Sequence, residues 1–113
     1  VLINLFRNAI DAMAHLPVEE RRLEVCTRRV DGSFIEVVVQ DHGDGIPEDR
    51  MDSIFNPFFT TKQDGMGLGL AISRSIVDAH GGSLGVVQDT RKGASFRLVL
   101  PSHDGATEVT DVQ

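Results

Sequence analysis

The sequence predicts an α+β domain. Three observations carry that expectation: an amphipathic helical period at the start, an Asp-Gly turn joining two strand-like runs, and a second helix stopped by Gly-Gly ahead of another strand pair. With 113 residues, 41% hydrophobic and 25% charged, the chain can bury one core, and residues 1–101 form one expected domain. Residues 102–113 are polar and aperiodic and read as a flexible tail. A formal charge of -6 repels a nucleic-acid backbone at long range, so no nucleic-acid partner is expected. The single cysteine, Cys26, cannot close an internal disulfide, which fits a reducing, cytoplasmic setting. No apolar run is long enough for a membrane span or a signal peptide, so direct membrane contact is not expected. The abrupt start inside a helix suggests a fragment of something longer.

Residues 1–15 carry the first helix. Leu2, Phe6, Ala9 and Met13 share a face that Leu5, Ala12 and Leu16 widen, and Pro17 ends the element. Asn4, Asn8, Asp11 and His15 recur at steps of four, three and four and so line one polar stripe. Asparagine is a mediocre helix former, and two of them a turn apart weaken the helix without a packing return. Each alone reads as a solvated residue; the set reads as functional.

Residues 22–29 alternate Leu23, Val25 and Thr27 against Glu24, Cys26 and Arg28, and Asp31-Gly32 turns the chain into the nearly continuous apolar run from Phe34 to Gln40. That second strand is expected to be central in its sheet. Pro47, Glu48 and Asp49 suit the start of a short helix reaching Ser53 or Ile54. Residues 55–64 set three phenylalanines beside Thr60, Thr61 and Lys62, the composition of a loop with an apolar anchor and a polar tip. The second helix follows to about His80, with Leu70, Ile72, Ile76, Val77 and Ala79 as buried positions and Gly81-Gly82 as its stop. Residues 83–88 and 94–100 read as two strands across a turn at 89–93, and Pro101 closes the fold.

The chemistry sits in the glycine-rich stretches. In Asp41-His42-Gly43-Asp44-Gly45-Ile46-Pro47 a carboxylate at a strand end precedes two glycines, which marks either a polar turn or a place where backbone closes on a ligand. Asp41 and Asp44 are three apart, which is not the alternate spacing of a calcium loop. Gly65, Gly67 and Gly69 at a helix start offer free N–H groups and the positive end of a dipole, a phosphate cradle that matches neither a P-loop nor a dinucleotide fingerprint. Asn8 supplies a neutral oxygen suited to Mg²⁺ shared with phosphates and water, and Asp41 can accept from an exocyclic amine. Receptors for phosphate, magnesium and an amine together describe a purine nucleotide site.

Four segments stand in a telling order: Asn4-Leu5-Phe6-Arg7-Asn8-Ala9-Ile10-Asp11-Ala12, Asp41-His42-Gly43-Asp44-Gly45-Ile46, Phe55-Asn56-Pro57-Phe58-Phe59-Thr60-Thr61-Lys62 and Gly65-Met66-Gly67-Leu68-Gly69-Leu70. They resemble the N box, first glycine box, F box and second glycine box of the sensor histidine kinase catalytic and ATP-binding domain, a member of the GHKL superfamily with the Bergerat fold. The resemblance covers residues 1–101. It implies a two-layer α/β sandwich, a mixed sheet with helices packed on one face, here lacking the strands that normally precede the first helix. It implies ATP and Mg²⁺, with Asn8 as metal ligand, Asn4 at the phosphate end and Lys62 completing the catalytic set. Asp41 would take the adenine amino group, with Gly43, Gly45 and Ile46 around the ring. Phe58, Thr60, Thr61 and Lys62 would belong to the mobile ATP lid, and Gly65, Gly67, Leu68 and Gly69 would hold phosphates.

By the same resemblance the phosphate acceptor is a histidine on a separate dimerisation domain of the same protein, which serves a response regulator and can belong to a membrane-anchored whole. None of His15, His42, His80 or His103 has that context; His42 reads as loop surface and His80 as a helix-end residue. ATP-hydrolysing members of the superfamily use a Glu one turn before the magnesium Asn. That position here is Asn4, an amide that cannot act as a general base. Asp11 stands where many relatives have Lys, and Ala94 where a Thr hydroxyl often approaches adenine; Ser95, one residue late, points to the other face. Two other functions fit the same residues: a catalytically degenerate nucleotide-binding regulatory module, and an anti-sigma-type serine kinase.

Overall fold

A computed structural model describes residues 1–46, 48–51, 53–56, 69–87 and 93–102. Helices α1 (Leu2–Ala12) and α2 (Gly69–Ala79) accompany strands β1 (Glu24–Val30), β2 (Phe34–Gln40), β3 (Ser83–Val87) and β4 (Ser95–Pro101). The strands form one sheet in the order β1-β2-β4-β3. β2 and β3 run parallel, but β4 lies between them and pairs antiparallel with both. Every pairing among the described strands is therefore antiparallel, a correction to the mixed sheet expected above. Its physical origin is the insertion of β4 into a β-α-β crossover, so that the two parallel strands never exchange hydrogen bonds.

Register sorts the side chains. Val37 and Val39 of β2, Phe96, Leu98 and Leu100 of β4, and Leu84 and Val86 of β3 share the face that meets the helices. Leu5 and Val77 enter the same core from α1 and α2. The buried seam of α1 is Leu5, Ala9 and Met13, continued by Leu16, whereas Leu2 is more exposed than its period suggested. On α2 the stripe shifts by one residue. Ser73 is completely buried and Val77 nearly so, while Ile72 and Ile76 are 51% and 43% exposed and Ala79 is exposed too. Periodicity permits either stripe, and docking of Leu70 and Val77 against the sheet selects the one that carries the serine.

Helix ends explain other departures. α1 stops at Ala12 rather than near residue 15, because Met13 to Leu16 form turns and Arg21 donates to the carbonyls of Ala14 and Leu16 at 2.9 and 2.8 Å. Those side-chain donors satisfy carbonyls a longer helix would have used. α2 ends as its glycines predict: Gly81 takes φ +79°, Gly81 N–H donates to Asp78 and Gly82 N–H to Val77. The short helix expected after Pro47 is only a 3₁₀ turn at Glu48–Arg50. Ser102, expected to begin the tail, is still tied to the β1–β2 hairpin, its N–H donating to Ser33 at 2.7 Å and its hydroxyl accepting from Arg29 at 3.3 Å. Cys26 lies exposed on β1, opposite Val38.

The outer sheet face is held by charge. Glu36 is 5% exposed, accepts from Arg28 Nε at 2.6 Å through one carboxylate oxygen, and accepts from Arg97 through the other. Hydrogen bonds from Arg28 and then Arg97 hold its carboxyl below the usual carboxylate range, against the opposing effect of desolvation. A depressed folded-state value means stability present above the unfolded pKa of about 4.3 and lost as pH falls through the folded one. Glu36→Gln is therefore expected to lower the melting temperature at pH 7, with the gap to wild type closing in acid. Calorimetric melts from pH 7 to 3 check this, and a gap constant across that range would contradict it.

Candidate functional site

The site begins where β2 leaves the sheet. Asp41 is 3% exposed, and its Oδ1 accepts two backbone N–H bonds, from Gly43 at 2.9 Å and Ala94 at 3.1 Å. Its own N–H donates to the Ala94 carbonyl at 3.0 Å, and its carbonyl accepts from Gln40 Nε2 at 2.8 Å. Gln40 in turn meets Ser95 Oγ through Oε1, on the sheet face away from the helices, as expected for Ser95. One side-chain oxygen of Asp41 is thus fixed by two elements, and Oδ2 makes no hydrogen bond to a described residue.

The glycines here answer first to the protein's own backbone. A Cβ on Gly43 would lie 2.5 Å from the carbonyl oxygen of Ala12, so the loop sits directly on the C-terminal end of α1. Gly93 has φ +103°, and a Cβ there would overlap the Asp41 carbonyl; one on Gly45 would lie 3.0 Å from Gly93 O. Two histidines also lie between the loop and its surroundings, although His42 Nε2 makes no hydrogen bond to a described residue. His42 N–H faces Met13 Sδ at 3.4 Å, its Nε2 lies 3.4 Å from Glu24 Oε2, and His15 Nε2 is 3.2 Å from Asp44 Oδ1. His42 is therefore half-buried rather than simple loop surface. Ile46 is half-buried and packs against the core.

At the other end of α1, Asn4 donates from Nδ2 to Ser73 Oγ at 3.1 Å. Gly69 opens α2 beside it: a Cβ on Gly69 would lie 3.8 Å from Asn4 Cγ, an ordinary contact. Asn8, one turn further along α1, is half-buried. Asn4 and Ala12 are eight residues apart on one helix, about 12 Å along its axis, so α1 forms one wall from the Gly69 end to the Asp41 end. Ahead of residue 57, Ile54 is buried in the core and Phe55 meets Phe96 edge to face, with ring centroids 6.3 Å apart and the Arg74 guanidinium 4.5 Å above the Phe55 ring. Phe58, Thr60, Thr61, Lys62, Gly65, Gly67 and Leu68 lie outside the described residues.

Asn4 and Gly69 are thus brought together at one end of α1, Asn8 lies midway along it, and Asp41, Gly43, Gly45 and Ile46 belong to the loop at the other end. The residues that sequence reasoning missed are Ser73, Gly93 and the N–H of Ala94. A serine three after Leu70 and four before Val77, on the buried stripe, was the available signal for the first.

Residues 1–104 match the family described as Histidine kinase-, DNA gyrase B-, and HSP90-like ATPase, and the chain belongs to that family. It is 47% identical over 104 residues to the sensor protein FixL of Bradyrhizobium diazoefficiens, an alignment covering 92% of this chain and 20% of FixL. Its identity to the sensor histidine kinase ZraS of Escherichia coli is 43% over 101 residues, 89% of this chain and 21% of ZraS. The chain spans about one fifth of the length of these curated relatives. Among solved structures, the catalytic domain of histidine kinase ThkA superimposes with a TM-score of 0.75 at 38% identity, over 88% of this chain and 62% of that one.

Gly93→Ala is expected to cost about 1–3 kcal/mol of stability, since the added methyl forces both a disfavoured φ and a backbone overlap. Gly85→Ala, where a Cβ meets nothing within 4 Å, should be neutral or mildly stabilising. Urea denaturation of the two variants beside wild type measures the difference, and equal midpoints would contradict the tight approach at Gly93.

Proposed function

We propose that this chain is the ATP-binding catalytic domain of a sensor histidine kinase, binding ATP with Mg²⁺ and presenting the γ-phosphate to a histidine on a separate dimerisation domain. From there the phosphoryl group would pass to a response regulator. The observation that carries the reading is Asp41, whose Oδ1 is occupied by two amides while Oδ2 is left to accept from an adenine amino group. Protein contacts fix the carboxylate plane before the base arrives, so little ordering cost remains at binding. The distance along α1 supports the same polarity, base at the Asp41 end and phosphates at the Asn4 and Gly69 end.

The donors present suit the metal. Asn8 and Asn4 are neutral oxygen donors on successive turns of α1, the kind of partial protein set that Mg²⁺ completes with phosphate oxygens and water. Bound there, the ion would screen phosphate charge and favour transfer. Asn8 would hold it, Asn4 would orient the phosphate end, and the N–H groups at the start of α2 would donate to phosphate oxygens. Neither amide can abstract a proton from water, so hydrolysis has no general base at the Asn4 position and transfer to an external acceptor is favoured. Lys62, Thr60, Thr61 and Phe58 complete this proposal as residues of a lid over the nucleotide.

Titration of a non-hydrolysable ATP analogue by calorimetry tests the site. Asp41→Ala is expected to weaken binding at least tenfold with or without Mg²⁺, about the loss of one charge-assisted hydrogen bond. Asn8→Ala should abolish most of the gain in affinity that Mg²⁺ confers while leaving metal-free binding near wild type. Magnesium dependence that survives Asn8→Ala would show the metal ligand to be another residue.

The transfer itself is read by fusing the chain to a dimerising hairpin that carries the acceptor histidine and supplying γ-labelled ATP. Label lost in acid and retained in base is expected. Acid-stable label would point instead to a serine kinase, and binding without label to a regulatory module.

A further inference from the structure

The β2–β4 register continues one step past Gln40 and Ser95, to Asp41 and Ala94. Hydrogen-bonded pairs alternate along an antiparallel ladder, and the bond from Ser102 N–H to the Ser33 carbonyl places one such pair just ahead of β2. The interval from Ser33 to Asp41 is even, so Asp41 and Ala94 fall where two N–H···O=C bonds should be exchanged. One forms: Asp41 N–H donates to the Ala94 carbonyl at 3.0 Å. The return bond is diverted, because the Ala94 N–H donates to Asp41 Oδ1 at 3.1 Å. A side-chain oxygen stands in for the main-chain one. The displaced Asp41 carbonyl accepts instead from Gln40 Nε2 at 2.8 Å, and Gln40 is buried. A carbonyl only accepts, so the limb of the Gln40 amide that meets it must be the N–H limb. Oε1 is then left for Ser95, whose hydroxyl donates to it. The carbonyl settles the direction of the amide, and the hydroxyl follows.

We propose that Gln40 is a positioning residue for Asp41. By holding the Asp41 carbonyl it leaves the Ala94 N–H to the carboxylate, which fixes Oδ1 and so the direction in which Oδ2 is presented. The inference rests on the nucleotide reading above and adds to it the group that sets base recognition. Without the Gln40 donor, a buried carbonyl would lack a partner, and the Ala94 N–H is the donor that the ladder assigns to it. Recapture of that N–H would release Oδ1 from the start of β4 and let the carboxylate turn. Ser95 acts one step further out, by keeping the amide on the carbonyl.

The test compares adenosine diphosphate with inosine diphosphate, in which a carbonyl replaces the exocyclic amine, by calorimetry on the 113-residue chain with Mg²⁺. Gln40→Met keeps length and bulk but has no donor. It should weaken adenosine diphosphate binding about three- to tenfold, the worth of one hydrogen bond, and leave inosine diphosphate binding unchanged. Ser95→Ala removes only the outer contact and should narrow the ratio of the two affinities about twofold, a second reading should Gln40→Met not fold. In an Asp41→Ala background neither substitution should change the ratio further. Lost packing alone would weaken both nucleotides together. Equal losses for the two nucleotides, an unchanged ratio in both variants, or a ratio that still narrows without Asp41 would overturn the inference alone. A wild-type chain that binds neither nucleotide, or both equally, would instead remove the assignment of Asp41 to the adenine amine, and this inference with it.

Discussion

The structure turns on the two N–H bonds that Gly43 and Ala94 donate to Asp41 Oδ1. They join residues 53 apart in sequence and tie the end of β2, the loop after it and the approach to β4 into one knot. A buried carboxylate oxygen without such partners would cost several kcal/mol, so the loop has few conformations that tolerate Asp41 where it is. Close backbone approaches then follow as consequences. Gly93 must lie against the Asp41 carbonyl, and Gly43 against Ala12, because the bonds leave no room for side chains between them. Loop position is thereby referenced to α1, and through Leu5, Ala9 and Met13 α1 is referenced to the sheet.

That chain of references explains why one helix serves both core and site. The seam of α1 is apolar and narrow, with Leu5 1% and Ala9 3% exposed, and Asn4 and Asn8 occupy its flank at half-burial. A polar residue on such a flank stabilises little by packing, and asparagine weakens the helix that carries it. The core tolerates this because Val39, Phe96, Leu98 and Leu84 supply a continuous apolar floor from three strands. Local helical stability is thus exchanged for an amide held at a fixed depth, and the hydrogen bond to Ser73 limits what is lost.

Sequence alone resolved local turns and strand ends better than the layers they belong to. The motif order pointed to the family, and Asp41 was already placed at a strand end, because glycines and carboxylates in fixed spacing encode local geometry. Strand positions were legible from alternation and from the Asp31-Gly32 turn, which the structure forms with Asp31 at φ 57°. Strand order was not, since the insertion of β4 between β2 and β3 is a long-range pairing with no local signature. The buried stripe of α2 was misread for a related reason: Ile72 and Ile76 are more apolar than Ser73, yet the rotation of a helix is set by what it docks on. Helix α1 ends short of the stop that Pro17 predicts, because Arg21 captures the carbonyls of Ala14 and Leu16 ahead of that proline. In each case the deciding partner was far away or was a side chain that no period announces.

Under the proposed function, the same fixed positions govern what the site does with a nucleotide. A hydrolase needs a group that takes a proton from water, and the position one turn before Asn8 carries an amide that bonds Ser73. Phosphoryl transfer to an incoming side chain asks less of the domain, since its contribution is position and charge compensation rather than proton abstraction. A site whose two ends are fixed by backbone bonds at Asp41 and by a buried hydroxyl at Asn4 supplies position without a base. Restraint toward water would then follow from the amide at Asn4, whatever its partner. On that proposal, α1 and α2 would hold ATP intact until an acceptor arrives.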